Sequence, residues 1–215
     1  MTNKRYFFVV DFETGGLDPQ KHDPVQIAVQ VLDPKTLKPV SSFVSYMKAS
    51  PERVSPEALA IHGISLDTLA EAPEPEVVFE AMVEFLRPYQ QGLFVAHNAK
   101  FDYDFMVAWA AKCAFEGFRL NQVFDYRLIC TAQLAFEKWV LHDQTMQRVK
   151  LEDITKALKI THAKAHDALS DVEATGEVLR RALRKSFTFR LIRGLRQSVQ
   201  LRRLSAVLDS LRSVY

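Results

Sequence analysis

The sequence predicts a mixed α/β sheet with helices packed on it, and three observations lead there. Strand-like segments crowd the first 47 residues, strand and helix patterns alternate afterwards, and the clearest amphipathic helix of the chain spans 167–183. Tyr6–Phe12 (YFFVVDF) is a short aromatic and β-branched run, read as a buried strand delivering Asp11 at its end. Thr14-Gly15-Gly16 breaks it and lets backbone approach something closely. Val25–Asp33 alternates apolar and polar residues, Val40–Met47 partly does, and Asp33-Pro34-Lys35-Thr36 turns between them, which makes an antiparallel meander.

Ser55-Pro56-Glu57 reads as a cap with proline in the first turn, so a short helix runs to His62-Gly63. A second helix spans Glu76–Leu86 and stops before Pro88. Leu93–Ala96 is a brief buried strand, Phe101–Ala114 an apolar helix, Val123–Tyr126 a strand, and Leu128–Trp139 and Leu151–Leu158 further helices. On the amphipathic helix, Leu169, Val172, Val178 and Leu179 face the core, with Asp171 one turn in.

A chain of 215 residues with 48% hydrophobic and 25% charged residues can bury a full core. No run approaches the ~18 apolar residues of a membrane span and no signal-like N-terminus is present, so a cytoplasmic protein is expected. Cys113 and Cys130 lack ligand-like neighbours and read as two buried thiols rather than a disulfide or zinc site. The net charge of +2 hides an asymmetry. Residues 184–215 hold eight basic residues against Asp209 alone, a net of +7, leaving −5 on residues 1–183. A globular body at 1–183 and a basic helical extension at 184–215 are therefore expected, and the extension points to an anionic partner.

Three blocks carry the chemistry: VVDFETGG with Asp11 and Glu13, VAHNAKFD with Asp102, and AHDALSD with His166 and Asp171. Asp11 and Glu13, two apart on a strand, project to one face, where paired carboxylates repel unless a cation lies between them. The plain alternative is a pair of surface acids, but Asp11 follows five largely apolar residues, where an unpaired carboxylate is costly. Asp102 could simply complement a helix dipole, and Asp104 competes with it as a ligand. His166 and Asp171 are five apart, so His166 belongs on the loop at the helix start; His162 reads as an ordinary cap or surface histidine.

In this order and spacing the blocks resemble the DnaQ-like 3′→5′ exonucleases of the DEDD superfamily, in the subgroup with histidine in the third motif, over roughly residues 6–183. DFETGG, HNAKFD and HDALSD match the three motifs. The resemblance implies a ribonuclease-H-like sheet of antiparallel meander plus parallel strands, flanked by helices. It implies Asp11, Glu13, Asp102 and Asp171 as ligands of two divalent ions, Mg²⁺ or Mn²⁺, ~4 Å apart with Asp11 bridging, and His166 as general base. It sets Asp102 above Asp104. EALAIHGI matches the family segment that holds the terminal nucleotide through Glu57 and His62, with Thr14, Leu17 and Phe101 lining the same pocket. Asn98 either orders its loop or touches substrate.

The activity so implied is removal of nucleoside 5′-monophosphates from the 3′ end of single-stranded nucleic acid, DNA before RNA, in proofreading, repair or processing. An exoribonuclease, or an end-binding module without catalysis, is the alternative; intact carboxylates argue against a silent site. The extension places Leu191, Leu195, Val199, Leu204, Leu208 and Leu211 at helical spacing among its arginines. It suits packing on the body, gripping substrate phosphates, or docking to a polymerase or a second copy; nothing else in the chain supports a membrane.

Overall fold

A computed structural model of the protein describes residues 5–141 and 148–183; the basic extension lies outside the described residues. The sheet has five strands in the order β3-β2-β1-β4-β5: β1 Phe7–Thr14, β2 Pro24–Leu32, β3 Pro39–Tyr46, β4 Gly92–Ala96 and β5 Phe124–Cys130. The expected meander β1-β2-β3 is antiparallel, and β1·β4 and β4·β5 are parallel. Around it lie α1 Pro56–His62, α2 Leu66–Glu71, α3 Pro75–Leu86, α4 Ala99–Cys113, α5 Thr131–Ala135, α6 Leu151–Ala157 and α7 Ala168–Leu183. Among the described residues no helix is long and apolar enough to cross a membrane.

Alternation along β1 divides the core in two. Phe8, Val10 and Phe12 point to one face and pack with Phe79 and Met82 of α3 and Phe105, Met106 and Trp109 of α4. Edge-to-face rings knit this side, Phe12 and Phe79 both meeting Trp109 at centroid distances of 5.8 and 5.0 Å, while the indole N–H donates to the Pro75 carbonyl. Val9 points to the other face with Ala28, Leu32 and Val95, covered by Ala168, Val172 and Leu179 of α7. All nine residues of β2 are buried, so its polar positions, Gln26 and Gln30, lie inside rather than on a wet face. Their register opposite Glu13 and Val9 puts them on the α7 side.

Four local expectations need correction. β1 runs on through Glu13 and Thr14 because both still pair with β2. β5 extends to Cys130, and the α-helix after it covers only Thr131–Ala135 before a wider turn at Phe136–Val140. An irregularity in β5 brings Leu128, Ile129 and Cys130 into register with Phe94, Val95 and Ala96, satisfying the far edge of β4 at the expense of helix. The short α2, capped by Ser65 through Thr68 N–H, was not foreseen. Cys130 is only half-buried, whereas Cys113 is buried.

The close approach expected at the first glycines is made by the chain itself. A Cβ at Gly15 would sit 2.2 Å from the Arg53 carbonyl oxygen. Gly15 also receives a hydrogen bond from the Ser55 amide and donates to the Asp23 carbonyl. This pins the start of α1 beside the end of β1. α1 itself begins with the Ser55 hydroxyl accepting from Ala58 N–H and ends at Gly63, whose φ of 69° is the left-handed cap. Gly15→Ala is expected to force these two backbones apart at a cost of about 1–3 kcal/mol, read as a lower urea midpoint at unchanged m-value; an unchanged midpoint would show the contact to be slack.

Candidate metal centre and nucleotide pocket

β1 carries Asp11 and Glu13 on the face that α7 covers, opposite Ala28 and Gln26 of β2. Gln26 accepts a hydrogen bond from the Ala168 amide at the first turn of α7, fixing that helix start against β2. One turn on, Asp171 projects back toward the strand. Asp102 arrives from α4, which packs on the opposite face, and its Oδ1 accepts from the Phe12 amide at 3.2 Å. The backbone of β1 thus lies between its own two acids and a third.

These groups sit in poor contact with water: Glu13 is 7% exposed, Asp102 4% and Asp171 9%. Burial, and then the charges of Asp171, Asp167 and Asp102, push Glu13 up to about 8. Burial raises Asp102 to about 7 against the lowering effect of the Phe12 amide. Asp11 is raised well above the ordinary carboxylate range, by burial first and then by Asp102, Asp171, Glu13 and Asp167. Burial also raises Asp171, while His162, His166 and the His166 amide pull it down. Four carboxyls from three segments therefore feel one another, and a cation among them would relieve the cost of ionising them together.

His166 stands on the loop before α7, as its spacing from Asp171 requires, with φ of 60°. That left-handed turn, strained for a residue with a side chain, reverses the chain and leaves the imidazole exposed beside the acids. Donor atoms of Glu13, His166 and Asp171 lie within 4.8 Å of one another. The Nε2 of His166 is also 3.4 Å from Glu152 Oε1 on α6. Oxygen-dominated donors in this number fit a hard divalent cation such as Mg²⁺ or Mn²⁺, and an exposed imidazole at the rim fits a base better than a buried ligand.

Beside the acids opens a pocket of about 550 Å³ lined by Glu13, Thr14, Leu17, Glu57, His62 and Phe101 among others. Every residue expected to hold the terminal nucleotide is there except Asn98. Leu17 is 84% exposed at the rim. His62 is buried; its Nδ1 accepts from the Ile64 amide, which puts the proton of the neutral ring on Nε2, and Nε2 has no partner. Burial lowers the proton affinity of this ring, so it stays neutral. Asn98 occupies the N-terminal cap of α4 without a side-chain capping bond and lines a separate groove of about 480 Å³ with Leu128, Phe136 and others. Its neighbour His97 is structural: Nε2 donates to the Val149 carbonyl and Nδ1 meets the Thr131 hydroxyl.

Three contributors were not legible. Asp167, a fifth acid, raises Asp11 and Glu13 while accepting the Ser170 amide. Gln26 hid in an alternating strand. His162 is no surface histidine: its side chain is 9% exposed, and its Nε2 is hydrogen-bonded to Asp171 Oδ1.

Comparison with known proteins agrees with this geometry. The profile of the RNase_T exonuclease family matches residues 8–179. The chain is 31% identical over 176 residues to the PolC-type DNA polymerase III of Thermotoga petrophila, covering 81% of this chain and 12% of the polymerase. It is 30% identical to the 3′-5′ exonuclease DinG of Bacillus subtilis, covering 85% and 18%, and 28% identical to exodeoxyribonuclease I of Haemophilus influenzae, covering 79% and 38%. It thus spans a minor part of each of these three relatives. Among solved structures, Escherichia coli exonuclease I in complex with single-stranded DNA shares the fold at a TM-score of 0.69 and 22% identity, over 82% of this chain and 40% of that one. The nuclease domain of 3′hExo does so at 0.67 and 16%, over 85% and 93%.

The raised carboxyls carry a pH dependence whose sign is fixed. A folded Glu13 keeps its proton to about 8, whereas the unfolded chain sheds it near the ordinary value of 4.5. In chelator the resulting stabilisation is full below about 4.5 and is lost as pH rises toward 8. Melting temperature in chelator should therefore fall across that window, and Glu13→Gln should flatten the fall; equal slopes in both proteins would remove Glu13 as the source.

Proposed function

We propose that this chain, a member of the RNase_T exonuclease family, is a 3′→5′ exonuclease that releases nucleoside 5′-monophosphates one at a time from the 3′ end of single-stranded DNA. The observation that carries this reading is the contiguity of the two halves of the site. Glu13 belongs both to the group of mutually repelling acids and to the wall of the nucleotide-sized pocket.

In this reading Asp11, Glu13, Asp102 and Asp171 hold two divalent cations, Mg²⁺ or Mn²⁺. When bound, such ions supply Lewis acidity toward the attacking water and the departing 3′-oxygen. The terminal base enters the pocket between Leu17 and Phe101, which offer apolar surface for stacking. His62 Nε2–H supplies a preformed donor and Glu57 an acceptor for the polar edge or 3′-hydroxyl of that nucleotide. His166 takes the proton from water as its oxygen bonds to phosphorus and the bond to the 3′-oxygen breaks, with the exposed position of the ring giving the proton a route to solvent. The names of two relatives, a DNA polymerase III and an exodeoxyribonuclease, favour DNA over RNA. A role in proofreading beside a polymerase draws on the PolC-type relative and would use the basic extension.

Incubation of 5′-labelled single-stranded DNA and matched RNA with Mg²⁺, Mn²⁺ or chelator tests the whole reading. A metal-dependent ladder shortening from the 3′ end, faster on DNA and absent in Asp11→Ala, is expected. A faster RNA ladder would reassign the substrate, and binding of 3′ ends without cleavage in any metal would leave only an end-binding module. His166→Ala should lower turnover by about 10²–10⁴-fold while retaining Mn²⁺ binding; wild-type turnover would remove His166 from the chemistry.

A further inference from the structure

The bond between His162 and Asp171 has no place in the mechanism above, yet among the described residues it is the one hydrogen bond from another side chain to any of the four carboxylates. His162 Nε2 meets Asp171 Oδ1 with both side chains nearly enclosed, at 9% and 12% exposure. The loop between them is braced: the Lys164 amide donates to the Ser170 hydroxyl, the Ser170 amide to Asp167 Oδ1, and the Ala168 amide to Gln26. His162 is therefore held by the same short segment that sets the start of α7. A carboxylate accepts but does not donate, so His162 is the donor whenever Asp171 is ionised.

A ligand carboxylate surrounded by like charges tends to turn away from them, and a fixed donor on one of its oxygens opposes that rotation. Asp11, Glu13 and Asp102 all feel the charge of Asp171. We propose that His162 is a positioning residue of the metal centre, which holds Asp171 by Oδ1 and so presents its other oxygen to a divalent cation. Partners behind ligating groups commonly contribute 10–100-fold to metal affinity. The proposal rests on the reading of Asp171 as a ligand, and its test separates the two.

The measurement is equilibrium Mn²⁺ binding to the full chain without substrate, by calorimetry and by the signal of free Mn²⁺ in paramagnetic resonance. His162→Ala is expected to weaken binding by about 10–100-fold at unchanged stoichiometry, with most turnover recovered at saturating Mn²⁺. His162→Gln, whose amide can donate from a similar reach, is expected to stay within a few-fold of wild type. Unchanged affinity in His162→Ala overturns the proposal, and loss of one equivalent of Mn²⁺ in both variants overturns it in favour of His162 as a ligand. If the wild type binds no Mn²⁺, the metal centre itself fails, which is a different result. Nitrogen resonances of ¹⁵N-histidine-labelled wild type in saturating Mg²⁺ decide the matter even if a variant does not fold: a protonated Nε2 on His162 is expected, and an unprotonated Nε2 overturns the assignment.

Discussion

The structure depends on keeping several carboxyls together at the end of β1 although each raises the cost of ionising the next. Nothing in local sequence favours this, so the fold must impose it. Asp11 and Glu13 are placed by strand alternation, Asp171 by a helix tied to β2 through Gln26, and Asp102 by the Phe12 amide. Each anchor is a backbone hydrogen bond or a packed face, which does not yield to repulsion as an exposed side chain would. The acids are thus prearranged, and a cation arriving among them releases stress without having to organise its ligands.

The two-sided core is what makes such an arrangement reachable. One face of the sheet packs against α3 and α4 and the other against α7. A strand can show its side chains to only one face at a time, so acids from both faces meet only where β1 ends. The pocket beside the acids is set at that same end because Gly15 lets the chain at Arg53 come within backbone contact, carrying α1 with it.

Much of this was legible in the sequence, for an identifiable reason. Asp11, Glu13, Asp102 and Asp171 each sit where a local signal changes, at a strand end, a helix start or a first turn, and those signals act over a few residues. Glu57 and His62 were singled out by the resemblance of EALAIHGI to a family segment, and the capped, glycine-terminated helix that carries them was read from its own residues. What escaped reading acts over distance. Gln26 is 142 residues from Ala168, and an alternating strand gives no hint that its polar face is covered. His162 resembled any loop histidine until the chain reversal at His166 brought it to Asp171. The length of β5 was decided by its partner β4, whose edge needed pairing, over the helical pattern of its own residues. Asn98, read from its block alone, proved to face a different groove from Phe101, three positions on.

The order in which the site residues occur has a consequence for biogenesis. Synthesis delivers Asp11 and Glu13 first, then Asp102, and only much later the loop with His162 and His166, followed by Asp171 on the last helix of the described fold. A nascent chain still lacking α7 holds three of the four acids and not Asp171. It also lacks the helix that covers Val9 and Ala28. The four acids are therefore first brought together only when the domain is nearly whole.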